Sequence, residues 1–137
     1  ELYTKLSKTW VTIGEPTADA TFQQILGHTL EIIPQSDPRA WMKGKEVEVK
    51  VLFEGQPLVG ARVSSGYEGL APHTYAQTST TDANGVARLT LSKGGLWYFR
   101  VHSIRALAVP RAATDEPDAP KADWESFFAS VTFRVAG

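Results

Sequence analysis

The chain has 137 residues, 42% of them hydrophobic and 21% charged, which excludes a disordered or collagen-like protein and fits one globular domain. Fourteen Lys and Arg against fifteen Asp and Glu leave a net charge of −1, so composition gives no sign of a nucleic-acid-binding protein. The absence of cysteine excludes disulfides, thiolate metal sites and thiol nucleophiles.

No run approaches the length of apolar chain needed for a spanning helix, so direct membrane insertion is not expected. No basic segment followed by an apolar stretch opens the chain, which starts at Glu1 and not at Met, as a processed or shortened protein would.

In chain order, Thr9 to Ile13 reads as a short strand because Val11, Thr12 and Ile13 are β-branched. A Gly- and Pro-containing loop follows. Ala18 to Leu26 predicts two helical turns with Phe22, Ile25 and Leu26 on one side, ended by Gly27. Residues 1–28 are therefore expected to be a connecting segment with a short helix, and 29–137 the folded domain.

The pattern then sharpens. Leu30 and Ile32 alternate with Thr29 and Glu31 in a strand stopped by Pro34. Trp41, in the next connection, is expected to fold over the core edge. Val47, Val49, Val51 and Phe53 point one way, Glu48 and Lys50 the other. Past a turn at Glu54 to Pro57, Val59, Ala61 and Val63 are expected inward and Arg62 outward. Thr74 to Thr80 reads as a polar edge strand. Thr81-Asp82-Ala83-Asn84-Gly85 is the strongest turn signal in the chain.

Ala87, Leu89 and Leu91 then share one face. Trp97, Phe99 and Val101 share the next inward face, leaving Tyr98, Arg100 and His102 opposite. A long connection from Arg105 to Ala122 carries three prolines and an acidic centre. The last strand, Glu125 to Val135, sends Phe127, Ala129, Val131, Phe133 and Val135 inward and Phe128, Ser130, Thr132 and Arg134 outward. About seven alternating strands joined by short turns predict an all-β, antiparallel sandwich, with a small barrel as the alternative.

Several runs are familiar. Phe53 to Val63 resembles the opening hairpin of prealbumin-like (transthyretin-like) domains. Thr81 to Gly85 resembles their following turn, and Gly94 to Arg100 the strand after it. Adding Gly27-His28-Thr29-Leu30-Glu31-Ile32-Ile33-Pro34 and Asp123 to Phe133, nearly the whole chain resembles the C-terminal part of a bacterial secreted family of unknown function. Members of that family are sometimes labelled as nickel-uptake-associated. The resemblance implies an Ig-like, Greek-key sandwich and export to the periplasm or the extracellular space. It also implies a leader and a further β-rich region upstream, so a missing domain of the same protein is an expected partner.

The nickel label directs attention to imidazole and carboxylate ligands for nickel or zinc. The histidines are His28, His73 and His102, none in a local ligand spacing. His102, His28 and Asp123 form the candidate metal set, with Glu125 a second carboxylate. Arg100 beside His102 argues against a cation there. Asp115, Glu116, Asp118 and Asp123 supply oxygens for calcium but lack the twelve-residue loop pattern.

Hydrolysis has little support. There is no Gly-x-Ser-x-Gly elbow, and adjacent strand residues such as His102 and Ser103 point to opposite faces. Glu48 and Glu125 are a carboxylate pair only by arbitrary choice.

Tyr98, Arg100 and Phe128, together with His102, form the candidate ligand-binding surface, suited to a sugar or peptide. The long 105–122 connection is expected to cover them. The leading reading is a non-enzymatic envelope module for binding or structural support, linked to metal uptake. A carbohydrate- or protein-binding module is the runner-up, and a hydrolase is the third reading.

Overall fold

The computed structural model describes residues 2–14, 19–106 and 124–137. They form two facing β-sheets. The strands are β1 (Leu2–Thr9), β2 (Leu30–Pro34), β3 (Glu46–Phe53), β4 (Gln56–Pro57), β5 (Arg62–Tyr67), β6 (Gln77–Thr80), β7 (Val86–Thr90), β8 (Gly95–Ala106) and β9 (Trp124–Val135). One sheet runs β1-β9-β8-β5-β6. In the other, β3 is flanked by β2 on one side and by β4 and β7 along the other. Among the described residues the two sheets are separate, which makes this a sandwich-like arrangement and not a barrel.

Nine strands replace the expected seven among the described residues. Two are easy to miss in the sequence. β4 has two residues, and β1 has apolar side chains only at Leu2, Tyr3 and Leu6. β1 also corrects the expected strand at Thr9 to Ile13. Residues 10–13 lie outside any strand, while Leu2–Thr9 pairs in parallel with β9 from Leu2–Glu125 to Thr9–Thr132. The other strand pairings are antiparallel. The opening of the chain thus completes a sheet of the folded domain.

The two-turn helix expected at residues 18–26 reduces to a three-residue 3-10 turn, Thr21–Gln23, with no buried side chain. Ile25 and Leu26 are exposed, so no apolar face holds a longer helix in place.

The core is the inward set of both sheets. Val47, Val49, Val51, Leu89, Val63, Phe99, Val101 and Val131 are each at most 2% exposed. Trp41 is buried as expected, at the centre of an aromatic group. Its ring meets Phe133 edge-on at 4.9 Å between centroids, and Phe99 meets Phe133 at 4.7 Å. Trp41 Nε1 donates to Ser36 Oγ at 2.8 Å, so the buried indole leaves no donor unmet.

One inward and one outward assignment change. Val59 is 60% exposed. Gly60 at φ +74° breaks the extended chain there, and Leu58 packs against the core instead. Glu31, expected on a wet face, is 1% exposed, because β2 is buried along both sides.

The turn at Asp82 follows its sequence signal. Asp82 Oδ1 accepts hydrogen bonds from Asn84 N–H at 2.8 Å and Val86 N–H at 3.1 Å, and Gly85 takes φ +76°. The donated bonds from Val86 and Asn84 hold the Asp82 carboxyl below the usual aspartate range.

Candidate functional site

The five-stranded sheet has one face against the core and one toward solvent. Because side chains alternate and the strands are in register, the outward set follows from how the strands pair. Phe128 stands between Lys5 on β1 and His102 on β8. Ser130 stands between Ser7 and Arg100, and Arg100 is opposite Ser64 on β5. Thr132 stands between Thr9 and Tyr98, and Tyr98 is opposite Gly66.

All the residues of the candidate ligand surface therefore share one outer face. His102 and Phe128 are stacked, 4.2 Å between centroids and 2° from parallel. Parallel rings on neighbouring strands stand up from the sheet, so each uses one face on the other. Tyr98 lies across Gly66, in the space where a Cβ would be. The Arg100 guanidinium is 5.6 Å from the centre of the Tyr75 ring.

Arg100 and His102 are exposed, while Tyr98 and Phe128 are half-buried. The long connection is expected to cover the group. That connection lies, from Leu107 to Asp123, outside the described residues.

A groove of about 320 Å³ runs along this face, lined chiefly by Lys5, Ser7, Arg100, Phe128 and Ser130. Phe128 lines it and His102 does not, so the stack supplies the groove with one wall. Ser7 Oγ and Ser130 Oγ lie 3.1 Å apart and share a hydrogen bond. Each hydroxyl keeps further bonding capacity beyond that bond. Lys5 and Ser7 were not singled out from the sequence because β1 was not recognised as a strand. The signal available was the weak alternation of Leu2, Leu6 and Lys8 against Tyr3, Lys5 and Ser7.

The candidate metal residues fare differently. His28 is half-buried just before β2, where its N–H donates to Glu31 Oε1 at 3.2 Å. His102 stands on the outer face of β8, against Phe128. Asp123 lies outside the described residues, as do Asp115, Glu116 and Asp118 of the candidate calcium loop. His73 is exposed in a loop at φ 60°. Among the described residues, no three His, Asp or Glu side chains converge in a way that could hold a metal ion. Glu125 bonds Arg105, and Glu48 bonds Arg88, on separate sheets.

Comparison with known protein families matches residues 1–105 to a domain of unknown function (DUF4198). The chain belongs to the DUF4198 family. The match runs from β1 into β8, so it takes in both sheets, while β9 falls beyond it. No curated protein matches the chain, and no solved structure does. No helix among the described residues is long and apolar enough to cross a membrane.

Proposed function

We propose that this domain is a non-enzymatic carbohydrate-binding module of a longer bacterial envelope protein, docking its ligand on the outer face of the five-stranded sheet. The observation that carries the reading is the groove in which the free face of Phe128 meets the Ser7 and Ser130 hydroxyls between Lys5 and Arg100. An apolar ring face beside a few convergent polar groups is the usual chemistry of a small-ligand site, and it suits the mixed surface of a sugar ring. The aromatic side chain is held by His102, so stacking a ligand on it costs little ordering.

Placement in the periplasm or outside the cell, and an upstream domain as partner, rest on the resemblance to secreted proteins. So does the link to nickel uptake, for which the described residues offer no converging ligands. A prealbumin-like, Greek-key connectivity is supported by a chain that passes repeatedly between the sheets, at β1–β2, β4–β5, β6–β7 and β7–β8.

The test is a two-dimensional amide NMR titration with oligosaccharides of varied composition. Shifts are expected at Lys5 to Ser7, Arg100 to His102 and Phe128 to Ser130, with loss of binding in Phe128→Ala. Shifts confined to the four-stranded sheet, or none at low-millimolar sugar, would overturn the reading.

A further inference from the structure

Four cations share the outer face of the five-stranded sheet. The outward positions of β1, β9, β8, β5 and β6 carry Lys5, Arg62, Arg100 and Arg134, all exposed. Among the described residues, those same positions carry no Asp and no Glu. Among the described residues, the positive charge of this face therefore meets no carboxylate on the same face.

The cations of this face form no ion pair, as is also true of Lys43, Lys45, Lys50 and Lys93 elsewhere among the described residues. The cations that meet carboxylates are Lys8, Arg39, Arg88 and Arg105. None of them is at an outward position of the five-stranded sheet. Lys5, Arg62, Arg100 and Arg134 form no ion pair among the described residues. Two of them rest on rings instead, Lys5 near Tyr3 and Arg100 near Tyr75, each 5.6 Å from the ring centre. A ring contact leaves the charge of a guanidinium or ammonium unneutralised and still able to donate hydrogen bonds.

Geometry sets these charges at the spacing of a chain-like ligand. Lys5, Phe128 and His102 lie in one row across three strands, and Arg62 follows one step past the Val63–Val101 pair. With strands about 4.8 Å apart, that row extends roughly 14 Å. The next row is Ser7, Ser130, Arg100, Ser64 and Thr78; Ser64 is buried, which leaves the Ser7, Ser130 and Thr78 hydroxyls in the row of Arg100 at the surface.

We infer that the ligand of this face is an acidic polysaccharide, whose carboxylates meet Arg100 and Lys5 while its hydroxyls meet the serine and threonine row. The inference rests on the carbohydrate reading above and adds the ligand's charge to it. The hydroxyl row and the Phe128 wall favour a sugar over an acidic peptide or a nucleic acid, which offer no comparable density of hydroxyl groups.

The test uses the 137-residue chain and isothermal titration with oligogalacturonate, with a neutral malto-oligosaccharide of equal length, with polyglutamate and with a single-stranded oligonucleotide. Binding of oligogalacturonate is expected, at least about tenfold tighter than the neutral sugar. It should weaken as salt rises, because exposed charges are screened. Arg100→Gln and Lys5→Gln should each weaken it several-fold while melting at the parental temperature, since both side chains are exposed. Equal binding of the neutral sugar, or insensitivity to salt, overturns the acidic ligand and leaves the groove reading standing. Polyglutamate or the oligonucleotide binding as tightly as oligogalacturonate overturns the sugar and leaves only a cationic surface.

Discussion

Lys8 Nζ lies 2.7 Å from Glu31 Oε2, with the two side chains 7% and 1% exposed. Lys8 is on β1, the edge of the five-stranded sheet, and Glu31 is on β2, the edge of the four-stranded one. The pair therefore ties the two layers together along one side of the sandwich. Glu31 does more than meet Lys8. Its carboxylate also accepts from the N–H groups of Leu26 at 2.8 Å, Gly27 at 3.1 Å and His28 at 3.2 Å. The chain ahead of β2 is folded around this carboxylate in place of the helix that its sequence suggested.

The two partners are thus unequal. Removing Glu31 leaves a buried ammonium without its counter-charge, with the Ile32 carbonyl at 3.3 Å still accepting from it, and leaves three N–H groups unmet. Glu31→Ala is expected to cost about 3–5 kcal/mol, the range for breaking a buried ion pair. Lys8→Met leaves Glu31 with its three N–H donors and is expected to cost roughly 1–3 kcal/mol. Urea denaturation of both variants checks this, and a larger loss in Lys8→Met would contradict the arrangement.

The same carboxylate sets an acid limit. Burial alone pushes its pKa up, but the Leu26 N–H, the Lys8 ammonium and the His28 N–H together outweigh that, and the net shift is downward. A carboxyl whose pKa is lower folded than unfolded stabilises the fold above its unfolded value, about 4.3 for glutamate. That stabilisation is lost as pH falls through the lower, folded value. The urea midpoint is therefore expected to drop with acidification below about pH 4.3. In Glu31→Gln that drop should be shallower. A profile in the variant as steep as in the parent would remove Glu31 from the account.

What the sequence made legible was alternation. β3, β7, β8 and β9 have inward and outward sets that can be read directly, because each has one face in the core and one in water. Asp82 and Gly85 marked their turn through local chemistry. The ring pair of His102 and Phe128 was legible as a shared face, but its stacking depends on β8–β9 register, which no local pattern encodes. The opening of the chain was misread for the same physical reason. β1 is held by pairing with β9, more than a hundred residues away, and its own alternation is faint. Alternation alone puts Glu31 on the wet side, because it implies one face of a strand in the core and one in water. Here, the chain before β2 buries that side using the carboxylate itself.

The inner face gives a prediction about packing. Phe133 meets Trp41 at 4.9 Å and Phe99 at 4.7 Å, both edge-on, and is 6% exposed. Phe133→Ala removes both ring contacts and opens a cavity between the sheets. A loss of about 3–5 kcal/mol is expected from chemical denaturation. Leu96→Ala, one residue from Trp97 but 37% exposed, serves as the control and is expected to cost less than about 1 kcal/mol. A loss below about 1 kcal/mol at Phe133 would contradict its place in the core.

The outer face gives a prediction about a single missing methyl. Gly66 is opposite Tyr98, and a Cβ on it would fall within 3.0 Å of the Tyr98 ring. Gly66 has no positive φ, so the backbone itself accepts alanine and the conflict is with the ring alone. Gly66→Ala is therefore expected to push Tyr98 off its place and to cost about 1–3 kcal/mol. In a Tyr98→Ala background the obstacle is gone, and alanine in a strand is favoured over glycine by roughly 0.5–1 kcal/mol. The two substitutions should then be strongly non-additive, with Gly66→Ala changing from destabilising to neutral or stabilising. A double-mutant cycle by urea denaturation measures this coupling. Additive effects would mean that Tyr98 does not lie across Gly66, and the outer face would lose the packing that fixes its aromatic edge.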